Sequence, residues 1–138
     1  MRLDPRFRFS LYAAFSVLFV TGAGWLLADQ MKDGSSAEAW QVTASYLLML
    51  HGGAAMATLM LLGALFPLHI SRAWRSRKNQ TTGMVMVAFN AVLILSAFGL
   101  YYFGSDTLRP WTSGLHTGIG LGLPVLFIVH VMVGRRSS

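Results

Sequence analysis

Residues 9–28, 45–70, 83–103 and 111–133 contain no Asp, Glu, Lys or Arg. No other feature of the chain restricts its fold as strongly. Each run is long enough to cross a hydrocarbon core of about 30 Å, which takes about 20 apolar residues as a helix. In such a core the backbone must satisfy its own hydrogen bonds, so runs of this length are expected to be helices. Composition agrees: 54% of the 138 residues are hydrophobic and 12% are charged, against roughly 25% charged in soluble domains. The expectation is an all-α protein, a membrane four-helix bundle with four transmembrane helices, forming one domain over residues 1–138.

The charges between the runs give an orientation. The net charge is +6, from 11 basic and 5 acidic residues. Arg2, Arg6 and Arg8 precede the first run, Arg72, Arg75, Arg77 and Lys78 follow the second, and Arg135 and Arg136 follow the fourth. The other two loops hold one basic residue each, Lys32 and Arg109. By the positive-inside rule both termini and the middle loop face the cytoplasm. Trp25, Trp40, Tyr101, Tyr102 and Trp111 then mark the outer interface and Trp74 the inner one. These basic clusters read as topology signals rather than a nucleic-acid surface. A basic start followed by an apolar run also resembles a signal peptide. Here the run is long for that and lacks a small-x-small cleavage site, so it reads as a retained helix. The expected location is a bacterial inner membrane, crossed several times. Asn90, the one strongly polar residue of the third run, reads as glue between helices or a quinone contact.

The chain has no cysteine. That excludes disulfides, cysteine-ligated clusters and covalent haem attachment, and leaves histidine as the best side-chain ligand for a transition metal. The eight methionines read as apolar filling. All four histidines fall in two runs: His51 and His69 in the second, His116 and His130 in the fourth. Helices separated by one other helix run in the same direction, so the histidines are expected in two layers, His51 with His116 and His69 with His130. His116 and His130 are 14 residues apart, about 3.9 turns and roughly 21 Å. His51 and His69 are 18 apart, about 5.0 turns and roughly 27 Å. Each pair should share a helix face, with Pro67 and Pro124 adding bends.

Two imidazoles do not complete a zinc site, which takes four ligands. They do complete a porphyrin, which brings four nitrogens of its own. The spacing therefore points to two b haems, an outer one on His51 and His116 and an inner one on His69 and His130. Gly52 beside His51 and Gly118 beside His116 leave room for the edge of a macrocycle. Arg109 with Trp111, and Arg72 or Arg75, are candidate partners for the outer and inner propionates through charge-assisted hydrogen bonds. Iron held by two histidines has no open position, so the expected work is electron transport.

The His116–His130 spacing on the last helix, together with His51 in the sequence LHGG, resembles the bacterial cytochrome b561-like group of small four-helix membrane cytochromes. The likeness in span count and loop length covers essentially the whole chain. Gly99 to Gly104 (GLYYFG) and the HISRAW segment are also similar to members of that group. In the quinol-linked members the remaining ligand is expected on helix 1, which has no histidine here, so His69 would take that place. The resemblance implies electron transfer between the quinone pool and a redox partner, in a respiratory chain, alone or as a subunit of a larger complex. It also permits oxidation of superoxide or quinol. The competing expectation is a haem-free assembly subunit whose histidines serve helix packing.

Overall fold

A computed structural model describes residues 3–76 and 80–136. Three of the basic residues used to orient the chain, Arg2, Arg77 and Lys78, lie outside the described residues. The described chain is all helix: α1 (Pro5–Gln30), α2 (Ala37–Leu65), a π-helical turn (Phe66–Ile70), α3 (Ser71–Ser76), α4 (Gln80–Tyr102) and α5 (Leu108–Arg136). Four helical stretches are long and apolar enough to cross a membrane: Pro5–Gln30, Ala37–Ser76, Gln80–Tyr102 and Leu108–Arg136. Met60 is 74% exposed, Leu95 70% and Val125 66%. Apolar exposure on this scale is what lipid, rather than water, accommodates. The chain has the make-up of a multi-pass integral membrane protein.

The helices outrun the apolar runs. α1 starts at Pro5 rather than residue 9, because Asp4 caps it: its side chain accepts from the backbone N–H groups of Arg6 (2.9 Å) and Phe7 (3.4 Å). Proline at the first helical position completes that start. α2 starts at Ala37, eight residues ahead of its apolar body. α5 starts at Leu108, so Pro110 lies in its first turn, where no backbone donor is needed. A helix ends where its backbone is capped, whereas an apolar run ends where lipid does.

Pro67 does more than bend α2. The backbone over Phe66–Ile70 widens, and the Ser71 N–H donates to the carbonyl of Phe66. Helix then resumes to Ser76. The wide turn winds through less angle per residue than an α-helix. His69 lies inside it and therefore falls behind the face of His51, by on the order of 50° relative to regular α geometry.

The chain divides into two compact units, Met1–Ser71 and Arg72–Ser138. In the first, α1 and α2 form an antiparallel hairpin closed by a short loop where Lys32 pairs with Asp29. Small residues let the two backbones approach. A β-carbon added at Gly24 would lie 3.4 Å from Leu47, and one at Gly22 would lie 3.1 Å from the ring of His51. Thr21, Ala28, Ala44 and Thr58 are buried. In the second unit, α4 and α5 form another antiparallel hairpin. Ser96, Gly99 and Leu123 are buried there, and a β-carbon at Gly99 would press on Phe103 at 2.7 Å and Thr112 at 3.2 Å.

Candidate functional site

Three of the four histidines are held by the helix beside them, each through Nδ1. His51 projects from α2 toward α1. Its Nδ1 lies 2.9 Å from the Leu18 carbonyl and 3.1 Å from Thr21 Oγ1. A carbonyl only accepts, so Nδ1 carries the proton and donates. The Thr21 hydroxyl donates to the carbonyl of Val17 (2.6 Å), within its own helix, so its oxygen accepts from the imidazole. The ring rests against Gly22, and a β-carbon there would crowd it.

His116 is held in the same way from α4. Ser96 Oγ lies 2.8 Å from its Nδ1. Ser96 Oγ also lies 3.1 Å from the Leu93 carbonyl; when the hydroxyl donates there, its oxygen accepts from the imidazole. The neutral His51 ring, facing a carbonyl, is therefore protonated at Nδ1, with its lone pair on Nε2. His130 lies lower on α5, with Nδ1 3.1 Å from Thr82 Oγ1 of α4. All three rings are half-buried.

The two contacts in the second unit share one register. Thr82 and Ser96 are 14 residues apart on α4, as His116 and His130 are on α5. Gly120 facing Leu93, and Gly99 facing Thr112, continue the same antiparallel alignment. A spacing of 14 residues is close to four α-helical turns. The hydroxyls therefore return to the α5-facing side of α4 each time a histidine faces α4.

His69 is placed differently. It is half-buried in the π-helical turn, directly ahead of α3. Arg72 and Arg75 are exposed on α3. Gly52 and Gly118 have open space where a side chain would be, with nothing within 4 Å of an added β-carbon, and so do Gly53, Gly114 and Gly122. Packing within the hairpins therefore does not require glycine at these positions.

Arg109 has work of its own. Its Nη1 donates to the carbonyls of Leu100 (2.9 Å) and Phe103 (3.5 Å), capping the end of α4. Trp111 nearby in sequence is 77% exposed. Asn90, expected to reach a neighbouring helix or a quinone, donates to the Met86 carbonyl of its own helix (2.8 Å).

Sequence reasoning missed the groups that hold the rings: the Leu18 carbonyl, Thr21, Thr82 and Ser96. The matching 14-residue spacing of Thr82–Ser96 and His116–His130 was the available signal. Among the described residues, no three His, Asp or Glu side chains gather to hold a metal ion by themselves. No family model matches the chain, and neither the curated proteins nor the solved structures include a significant match to it.

Proposed function

We propose that this chain is a small b-type membrane cytochrome. On this reading it relays single electrons between the quinone pool and a redox partner. The observation that carries the reading is the anchoring of His51, His116 and His130 through Nδ1. Ligating histidines characteristically hold their second nitrogen in this way, which fixes the ring and directs the Nε2 lone pair at the metal. The donor set also favours a metal that arrives with ligands of its own, and a porphyrin supplies four. Open space at Gly52 and Gly118 is compatible with a flat macrocycle beside the ligands.

The assignment of His51 with His116, and of His69 with His130, rests on helix direction and spacing in the sequence. So does the orientation with both termini in the cytoplasm of a bacterial cell. Bound haem would supply a reversible one-electron Fe(III)/Fe(II) couple. The chain's own residues would set where that couple sits. The histidines would hold the iron in pairs, leaving it no position for oxygen. The apolar spans keep water away, and Arg72 and Arg75 offer cationic partners to propionates at one face. Arg109, already capping α4, offers its remaining N–H groups at the other. Oxidation of one quinol releases two electrons and two protons, so a one-electron relay would accept them in sequence.

The same hydrogen bonds also favour one rival, a haem-free subunit in which histidine–hydroxyl contacts only lock the hairpins. A reduced-minus-oxidised spectrum of the purified full chain separates the two. A b-type α band supports the cytochrome, and its absence defeats it. Reduction of the band by a short-chain quinol would support the quinone link, whereas reduction by dithionite alone would remove it.

A further inference from the structure

Besides the histidines, the hairpins carry a second set of polar side chains in fixed relation to them. Ser96 is 5% exposed and Thr21 6%. Buried hydroxyls in apolar helices commonly satisfy themselves on the carbonyl four residues back. Thr21 does this, and Ser96 donates to the carbonyl three residues back. Each oxygen also lies within hydrogen-bond distance of an imidazole Nδ1 on the next helix, 3.1 Å for Thr21 and 2.8 Å for Ser96. Thr82 stands in the same place relative to His130, one 14-residue repeat away.

Resting on the cytochrome reading, we infer that Thr21, Ser96 and Thr82 are positioning residues that fix the tautomer and plane of His51, His116 and His130 and tune the iron they hold. The physical basis is the acceptor. An imidazole whose Nδ1–H is hydrogen-bonded is a stronger σ-donor through Nε2, and a stronger donor favours Fe(III) over Fe(II). A hydroxyl that itself donates to a carbonyl is polarised into a better acceptor. Removing it weakens the ligand, raises the midpoint potential and frees the ring to rotate. The three positions are not equivalent. His51 keeps the Leu18 carbonyl when Thr21 is lost, so Thr21 contributes least.

The test has one arm that needs no haem. In the full chain, labelled with 15N-histidine and held in detergent micelles without haem, the His116 ring is expected as the Nδ1–H tautomer. Ser96→Ala converts it to a mixture, and Ser96→Thr, which keeps the hydroxyl, preserves it. In the haem-loaded protein, Ser96→Ala raises the midpoint potential of one haem and leaves the other unchanged. It also weakens retention of that haem roughly 10–100-fold, and Ser96→Thr restores both. The isosteric Thr82→Val gives the corresponding changes at His130, and provides the test should Ser96→Ala fail to fold.

An unchanged His116 tautomer in Ser96→Ala overturns the inference, as does an unchanged potential with haem bound. Wild-type protein without an α band would instead sink the cytochrome reading, and the tautomer arm would still report on the hydroxyls.

Discussion

The two hairpins solve the same local problem unequally. In α4–α5 both histidines belong to one unbroken helix, and each meets a hydroxyl of α4 in a constant register. In α1–α2 His51 has that arrangement, with Thr21 and the Leu18 carbonyl. Continuing the Thr21–His51 register would bring His69 opposite the residues ahead of Pro5, where α1 has not yet begun. His69 also sits in the π-helical turn that contains Pro67. The lesson concerns geometry rather than residue type. Four histidines of equal chemistry occupy three rigid positions and one set by an irregular backbone. Such π-turns recur at functional sites in helices, and this one holds the second of the two histidines in a single strongly apolar stretch.

The largest expected effect breaks the comparison outright. If the chain is the cytochrome proposed above and the pairing inferred from helix direction holds, His116→Ala and His51→Ala should each remove the same haem, halving the pyridine haemochrome value, and the double variant should lose no more than either alone. A double variant that lost all haem would separate the two residues into different sites.

Next comes Gly22. A methyl there meets the His51 ring at 3.1 Å, so Gly22→Ala should displace the ring by a few tenths of an ångström and, on the cytochrome reading, disturb a haem held by His51, as read by the α band. Gly118→Ala meets nothing within 4 Å. It should raise stability by about 0.5–1 kcal/mol, as Ala for Gly does in a helix, so any loss of haem in that variant would report the macrocycle edge.

Pro67→Ala should let α2 rewind as a regular helix. On the cytochrome reading it should shift the spectrum and potential of a haem held by His69 alone, by less than loss of a ligand. The smallest effect is expected for Arg109→Gln. It removes the cap on the Leu100 and Phe103 carbonyls and should cost about 0.5–1 kcal/mol in unfolding measurements.

Much of this was legible in the sequence, and the remainder has identifiable physical causes. Four charge-free runs were enough for four helices, because lipid leaves a backbone few alternatives. Their ends were harder, since helix continues into polar sequence wherever a cap allows. Asp4–Pro5 carried that signal for α1, but Ser36 caps α2 without a side-chain hydrogen bond. Pro67 announced an irregularity, yet nothing in the residue type distinguishes a kink from a π-turn that resumes as helix to Ser76. The hydroxyl partners were least visible. Serine and threonine are common in membrane helices, and which of them meets a histidine depends on the register set by the loop. Only the equal spacing of Thr82–Ser96 and His116–His130 betrayed it.

Haem content per chain tests the central claim most directly. Full-length protein purified from haem-replete cells should give a b-type α band and a pyridine haemochrome value near two haems per chain. A value near one that persists in His69→Ala would confine the site to His51 and His116. A chain that folds, unfolds cooperatively and contains no haem would contradict the account.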